Sequence, residues 1–486
     1  MPIREVVIKP ITRLEGHGKI DIFLDESGNV KDAFFQVVEI RGFERFCKGR
    51  PVEELPRMTP RICGVCPWAH HMASAKAADA VYKAKIPPAA EKLRRLGYAA
   101  FYMHDHSLHF YALAAPDFVV GPGAPKSERN VAGLVKKVGI EIGGKVLRAL
   151  RLLHEAREII GGKSISPVFA IPGGVSKPLT EEEHSRLKEI GKEVYDFARM
   201  TLDLFQKAVL ENEENLKLVT GDIYYTETYY MGLVKDGAVE YYDGNLRVIS
   251  PSGAEYAAFE PERYLDYIAE HVEPWSYLKF PYLKGVGWKG IEAGEDSGVY
   301  RVGPLARLNV ASKMSTPIAQ EAYEKMFETL GKPCHHTLAY HWARVIEIMN
   351  CAEIIMDLLD DPEILSKDVH EPPSEVPSEG IGVVEAPRGV LIHHYFTDEN
   401  GIVKDLNLVV ATVHNNAGIN LSVKRAAQKL IQNGKVDDRL LNMVEMAFRA
   451  YDPCLACGTH AAPGGIPLEI RVIDSTGAVI KVLRNW

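Results

Sequence analysis

The first forty residues alternate apolar and polar positions in the way that β-strands do. Residues 20–24 and 30–38 are rich in β-branched and aromatic side chains, and the turn-forming residues 25–29 lie between them. This pattern predicts an N-terminal β-hairpin region. A similar alternation in residues 467–473 and 478–483 predicts a second hairpin at the C-terminal end.

Most of the remaining chain follows the spacing of apolar residues that is typical of helices. The Pro87-Pro88 pair interrupts this pattern, and Thr180 followed by three glutamates predicts a capped helix start. The helical segments predicted in this way are residues 59–86, 89–114, 124–160, 180–216, 318–359 and 437–450.

Residues 218–303 differ in composition from the helical segments. Tyrosines, β-branched residues and turns such as Asp236-Gly237 dominate there, which predicts a small antiparallel insertion rather than an independent domain. The fold class expected from the whole pattern is α+β and predominantly helical, with a central helix bundle, the N-terminal β-hairpin region and this β-rich insertion. We expect one domain over residues 1–460, an exposed loop at 366–380, and a C-terminal tail over 461–486.

Charge and composition exclude several classes of function. The net charge is −8, and no Lys/Arg stripe is interleaved with aromatic residues, so we expect no nucleic-acid partner. No run of about eighteen apolar residues occurs, so we expect no membrane span. The N-terminal residues lack the apolar core of a secretory signal, and the cysteine count of seven is odd. These features predict a cytoplasmic protein with reduced thiols.

The candidate chemistry lies in two C-x-x-C pairs near opposite ends of the chain, Cys63 with Cys66 and Cys454 with Cys457. A C-x-x-C turn places two sulfurs on one side of a loop or helix start, and two such pairs can supply four sulfurs to one metal. A structural zinc site is one interpretation. Zinc ribbons, however, keep their pairs within roughly twenty residues, and a chain with a large core of its own needs no metal to fold.

The residues around both pairs resemble motifs of a known family, the large catalytic subunit of nickel–iron hydrogenases. The stretch RICGVCPWAH from Arg61 is similar to the family's R-x-C-G-x-C-x-x-x-H, and DPCLACGTH from Asp452 is similar to its D-P-C-x-x-C-x-x-H. The resemblance extends along almost the whole chain. Further stretches that resemble family motifs are TRLEGH from Thr12, RGFE from Arg41, HDHSLHF from His104 and EAPRG from Glu385.

One motif departs from the family pattern. The stretch VATVHN from Val410 resembles V-P-[ST]-T-x-N but carries Ala411 and Val413 at the proline and second hydroxyl positions. The departure leaves the path of this loop open. The matching hydroxyl, that of Thr412, is retained.

The resemblance implies a bimetallic site. All four paired cysteines would bind nickel, Cys66 and Cys457 would also bridge to iron, and Cys63 and Cys454 would be terminal nickel ligands. The iron would carry carbon monoxide and cyanide made by accessory proteins. The implied reaction is the reversible heterolytic cleavage of dihydrogen.

Residues around the metals receive roles from the same resemblance. Glu15 would relay protons from the site, and Arg388 would point at the metals with Asp105 bracing it. Thr412 would hydrogen-bond a cyanide, and His70 would hydrogen-bond a bridging sulfur. For the proton released from dihydrogen we favour the Cys454 thiolate over the Arg388 guanidine, because arginine is hard to deprotonate.

The resemblance also implies a magnesium site near the bimetallic site. Its ligands would be Glu44, the backbone carbonyl of Leu408, and His460. In the family a maturation protease removes the tail directly after the matching histidine, so we predict cleavage between His460 and Ala461.

Electrons must leave through another chain, because the cysteines left after the paired ones are too few for an iron–sulfur cluster. We therefore expect an iron–sulfur small subunit, together with further electron-transfer subunits that deliver electrons to a nicotinamide, a deazaflavin or a heterodisulfide system. Two alternatives stay open at this point, a zinc-stabilised globular protein and the related scaffold subunit of quinone reductases. The cluster of Cys334, His335, His336 and His341 is interpreted as a buried thiol with hydrogen-bonded histidines.

Overall fold

Four long helices pack against one another in the middle of the fold. The computed structural model describes residues 5–9, 11–375, 377–460, 469–473 and 479–484. Its α-helices are α1 Phe43–Cys47, α2 Leu55–Met58, α3 Pro67–Val81, α4 Pro88–Leu108, α5 Val131–Val138, α6 Ile140–Gly161, α7 Glu181–Phe205, α8 Glu213–Thr220, α9 Tyr264–Tyr267, α10 Pro304–Val310, α11 Pro317–Leu330, α12 Ala339–Asp360, α13 Ala411–His414, α14 Asn416–Leu430, α15 Asp438–Arg449 and α16 Leu455–Gly458.

The central bundle consists of α4, α6, α7 and α12. Local sequence explains where these helices begin. Pro88 occupies the first turn of α4, where a missing N–H costs nothing. Thr180 and Glu183 form a reciprocal capping box at the start of α7, as the sequence predicts. The single helix predicted for residues 180–216 is wrong in its second half, because α7 ends at Phe205, a π-helical turn follows, and α8 starts separately at Glu213.

The strands form several small sheets rather than one large one. They are β1 Glu5–Ile8, β2 Gly18–Leu24, β3 Val30–Val37, β4 Ala170–Ile171, β5 Gly174–Val175, β6 Tyr229–Lys235, β7 Ala238–Val239, β8 Asn245–Ile249, β9 Glu255–Phe259, β10 Ile268–His271, β11 Phe280–Leu283, β12 Tyr300–Arg301, β13 Glu379–Ala386, β14 Gly389–Thr397, β15 Val403–Val409, β16 Glu469–Ile473 and β17 Val479–Arg484.

The predicted N-terminal hairpin is confirmed as the antiparallel pair β2–β3, and β1 adds a third strand beside β2. The β-rich region also forms where the sequence predicts it. It is not purely antiparallel, because β12 pairs with β6 in parallel. The predicted C-terminal hairpin is confirmed as the antiparallel pair β16–β17. The predicted cleavage site lies next to Ala461, which is outside the described residues.

The sheet β13–β14–β15, which packs against α3, was not predicted from the sequence. Its strands are buried on both faces over most of their length, so they read as continuous apolar runs instead of alternating ones. Glycine permits the close contact with α3. A Cβ added at Gly382 would lie 2.1 Å from the carbonyl oxygen of Ala73. This contact brings the strands next to the helix that follows the first cysteine pair.

Among the described residues, no helix combines the length and the apolar character needed to cross a membrane.

Candidate metal centre

The two cysteine pairs meet in the core. Cys63 follows a short 3₁₀ helix, and Cys66 lies at the N-terminal end of α3. Cys454 lies at the N-terminal end of α16, and Cys457 lies within that helix. All four side chains are buried, and their sulfur atoms lie within 4.8 Å of one another.

The sulfur atoms are arranged as contacts between the pairs as well as within one pair. The Sγ atoms of Cys63 and Cys454 are 3.2 Å apart, and those of Cys66 and Cys457 are also 3.2 Å apart. The Sγ atoms of Cys454 and Cys457 are 2.9 Å apart. All four are free thiols rather than disulfides. One metal-binding group therefore draws its ligands from both ends of the chain.

The donor set fits soft transition metals. Thiolates favour nickel, iron or zinc and disfavour magnesium and calcium. Within the described ranges, this is the one group of three or more His, Cys, Asp or Glu side chains that is close enough to hold a metal. The His335 ring instead contacts the Pro251 carbonyl and the Tyr230 hydroxyl, as expected for a hydrogen-bonded histidine.

Glu15 contacts the cluster directly. Its backbone pairs in parallel with Cys454, and its carboxylate accepts hydrogen bonds from the Cys454 Sγ at 2.9 Å and the Ala456 N–H at 3.0 Å. Burial raises the pKa of Glu15, and the nearby Cys63 charge raises it further. Gly16 makes the approach possible, because a Cβ there would lie 2.7 Å from the Cβ of Leu455.

Arg388 lies between two buried carboxylates. Its guanidinium is 3.2 Å from Asp105 and 2.8 Å from Asp452, and its Nε donates to the Asp452 carbonyl at 2.6 Å. Burial opposes the positive charge, but the two carboxylates hold the pKa of Arg388 well above its ordinary value. The guanidinium therefore stays charged and donates hydrogen bonds.

The histidines around Asp105 belong to a buried polar patch. His106 Nε2 is 2.8 Å from a Glu347 carboxylate oxygen, and His109 Nε2 is 2.9 Å from the Arg449 carbonyl. Each of these rings therefore has a protein partner, and Asp105 is the member of the patch that faces Arg388.

Thr412 and His70 also contact the cluster. The Cys454 N–H donates to the Thr412 hydroxyl at 3.0 Å, and that hydroxyl keeps its own proton to donate elsewhere. The His70 Nε2 lies 3.5 Å from the Cys457 Sγ. Both side chains are therefore close enough to interact with a metal centre held by the cysteines.

A second polar site lies beside the cluster. Glu44 Oε1 is 3.1 Å from His460 Nδ1 and accepts from the Leu408 N–H at 3.1 Å. Burial opposes the charge of Glu44, yet His460 and the Leu408 N–H hold its pKa below the ordinary value. The His460 Nε2 is buried and has no hydrogen-bond partner among the described residues, so this nitrogen is available to a bound group.

Two residues of the site were missed in the sequence. Asp452 adopts a left-handed backbone conformation with φ of 56°, and its buried carboxyl has a pKa raised to about 7 by burial. Its position directly before Pro453 and Cys454 was the available signal. His393 lies 3.2 Å from His70, and nothing local in the sequence marks it.

The comparisons with known proteins identify the family. The family model described as nickel-dependent hydrogenase matches residues 41–139 and 264–460, and the model described as HoxL-like matches residues 5–40. The chain belongs to the nickel-dependent hydrogenase family, in which it is a large subunit. It is therefore part of a hydrogenase.

Individual relatives match over nearly their full length. The iron–sulfur subunit of the F420-non-reducing hydrogenase of Archaeoglobus profundus is 51% identical, with 100% of each chain covered. The beta subunit of the NAD-reducing hydrogenase HoxS of Cupriavidus necator is 39% identical over 98% of this chain and 99% of its own. A crystal structure of an NAD+-reducing [NiFe]-hydrogenase in the H2-reduced state superimposes with a TM-score of 0.88 at 38% identity, covering 95% of this chain and 100% of that one.

Proposed function

We propose that this chain is the catalytic large subunit of a nickel–iron hydrogenase that splits dihydrogen reversibly and passes the electrons to a small subunit. The gathering of four buried thiols within 4.8 Å carries the proposal. Cys63, Cys66, Cys454 and Cys457 would hold nickel, with Cys66 and Cys457 shared with an iron that carries carbon monoxide and cyanide. The metals supply a Lewis-acidic site at which dihydrogen is polarised.

The protein handles the proton. The Cys454 sulfur would accept the proton from dihydrogen, and Glu15, 2.9 Å away, would take it onward. A carboxyl with a raised pKa suits this step, because it accepts a proton more readily than an ordinary glutamate does. Arg388 would act as a fixed positive charge held by Asp105 and Asp452. Its permanent charge supports the thiolate, rather than the guanidine, as the base.

We infer that Thr412 and His70 tune the metals through hydrogen bonds. The Thr412 hydroxyl would donate to a cyanide on iron, and His70 would donate to the Cys457 sulfur. Contacts of this kind fix the ligands and adjust electron density at a metal. Thr412 already accepts from the Cys454 N–H, which supports its place beside the bimetallic site.

Glu44, His460 and the Leu408 carbonyl would hold magnesium. The carboxylate of Glu44 is a hard oxygen ligand of the kind that magnesium prefers. The Nε2 of His460, which has no partner within the described part of the chain, supports a bound group at this point. The same histidine would mark the end of the mature chain, with residues 1–460 as the catalytic domain and 461–486 removed by a protease. The nickel-dependent hydrogenase model likewise ends at residue 460.

The partners follow from the path that the electrons must take. An iron–sulfur small subunit, with further electron-transfer subunits, would work in the cytoplasm beside this chain, and accessory proteins would insert the metals. Several relatives are named F420-non-reducing hydrogenases. We infer that the electrons of this enzyme likewise go to an acceptor other than F420.

Metal content and activity test the proposal together. Protein purified anaerobically with its partner subunits should contain nickel in the same molar amount as this chain and should reduce an artificial electron acceptor with dihydrogen. Zinc at the cysteines without nickel would support the zinc-stabilised alternative. Absence of dihydrogen-dependent activity in fully loaded protein would support the scaffold alternative.

A further inference from the structure

A line of contacts leads from the Cys457 sulfur into the core. His70 lies 3.5 Å from that sulfur through Nε2 and 3.2 Å from His393 Nε2 through its own Nδ1. His393 Nδ1 is 2.7 Å from the Tyr395 hydroxyl, which donates to the Ser74 hydroxyl at 2.8 Å. All of these side chains are buried. Water therefore does not compete for the hydrogen bonds.

The arrangement is fixed by the packing of α3 against the β13–β15 sheet. His70 and Ser74 are one helical turn apart on α3, and His393 and Tyr395 lie two residues apart on β14, so each pair points the same way. The backbone of His393 pairs with Gly382 of β13, the glycine that lets the sheet approach α3. The His70–His393 contact therefore depends on the closeness of helix and sheet.

Hydrogen-bond chemistry limits how this line can be protonated. A sulfur that binds a metal as thiolate has no proton, so it can only accept a hydrogen bond. His70 must then carry its proton on Nε2, and its Nδ1 must accept. Within the described part of the chain, His393 Nε2 is the group hydrogen-bonded to His70 Nδ1. His393 must therefore donate to His70, and its own Nδ1 must accept in turn.

The Tyr395 hydroxyl can supply the last proton. Its oxygen lies within hydrogen-bond distance of both Ser74 and His393. A hydroxyl hydrogen can rotate to suit its neighbours, so the Tyr395 O–H can turn from Ser74 to His393 while Ser74 donates to the tyrosine oxygen. One side chain at the end of the line thus sets which nitrogen of each imidazole carries hydrogen.

We propose that His393 and Tyr395 are positioning residues that hold His70 in the tautomer with hydrogen on Nε2, so that His70 donates to the Cys457 sulfur when the metals are bound. This inference rests on the proposed function and adds two residues to it. The bond draws electron density from a sulfur shared by both metals. Neither His393 nor Tyr395 touches the metals, so their effect on the site acts through His70.

Variants test the effect on the metals. In Tyr395→Phe the carbon monoxide and cyanide bands in the infrared spectrum should shift to lower wavenumber, and the midpoint potential should fall, with unchanged nickel and iron content. His393→Leu should give the same shift. His393→Gln, whose amide can still donate to His70, should restore part of it. Tyr224→Phe is the matched control, because Tyr224 is also buried and donates to the Met443 carbonyl away from the cysteines.

Neutron diffraction from the wild-type, metal-loaded complex decides the tautomer without any substitution. We expect deuterium on Nε2 of both His70 and His393 and none on either Nδ1. Deuterium on Nδ1 of His70, or infrared bands in Tyr395→Phe that match those of the wild type, would overturn the inference alone. A wild-type infrared spectrum without carbon monoxide and cyanide bands would instead overturn the proposed function and this inference with it.

Discussion

The carboxylate of Glu15 lies 2.9 Å from the sulfur of Cys454, although 439 positions separate the two residues in the chain. The N-terminal segment passes so close to the second cysteine pair that Leu455 donates its N–H to the Glu15 carbonyl. A candidate base and a candidate proton carrier thus share one hydrogen bond. The fold brings both ends of the chain to the same point to make this contact.

Replacing Glu15 by glutamine tests the relay. Glutamine keeps the shape and the hydrogen bond from Ala456 but cannot take up a proton. Because general acid–base groups contribute about 10²–10⁴-fold, we expect hydrogen–deuterium exchange with solvent to fall by at least about 10²-fold with nickel and iron retained. The control is Glu54→Gln, at an exposed carboxylate, which should leave the exchange rate unchanged. Normal exchange in the Glu15 variant would exclude the relay.

Removing one sulfur tests the shared site. Cys457→Ala should yield protein without the bimetallic centre, because both metals would lose a ligand. Nickel analysis and the infrared bands of iron-bound carbon monoxide and cyanide measure this loss. Cys351→Ala removes a buried thiol outside the cluster and should keep both metals. Full nickel content with unchanged bands in the Cys457 variant would contradict the bridging assignment.

The contact between the β13–β15 sheet and α3 should be sensitive to a single methyl group. In Gly382→Ala the new Cβ would lie 2.1 Å from the Ala73 carbonyl oxygen and 2.3 Å from the Ala77 nitrogen. Overpacking of this kind costs about 1–3 kcal/mol. We expect a lower unfolding midpoint and weaker metal retention. Gly144→Ala in α6, where no atom lies within 4 Å, should be neutral or stabilising. Equal midpoints for the two variants would show that the sheet yields easily.

Stability should fall with acidification because His71 is held neutral. The Ala170 N–H donates to His71 Nε2 at 3.1 Å, so that nitrogen cannot be protonated in the folded state, and burial lowers the pKa of His71 to about 4. The unfolded chain takes up this proton below about pH 6.5. The contribution of His71 to folding stability is therefore complete above that pH and decreases by up to about 1.4 kcal/mol per unit as the pH falls toward 4.

Two variants isolate the contribution of His71. In His71→Gln the unfolding midpoint, measured between about pH 4 and 7.5, should depend less steeply on pH than in the wild type. His17→Gln should follow the wild-type slope, because the His17 side chain is 81% exposed. An unchanged slope in the His71 variant would contradict this account.

Local patterns in the sequence predicted the parts of the fold that depend on local interactions. The turn between β2 and β3 and the capping box at Thr180 are encoded within a few residues, and both appear as expected. The β13–β15 sheet was missed because burial of both faces removes the alternation that marks a strand. The site followed a similar division. The cysteine pairs and Glu15 carry motifs, whereas the His70–His393 contact arises from long-range packing that no short segment records.

The infrared spectrum of protein purified without air together with its partner subunits tests the central claim most directly. Bands in the region where metal-bound carbon monoxide and cyanide absorb, together with nickel and iron at the cysteine cluster, are the predicted result. A fully mature chain that ends at His460, holds zinc at the four cysteines and shows no such bands would contradict the assignment of this site as a nickel–iron centre.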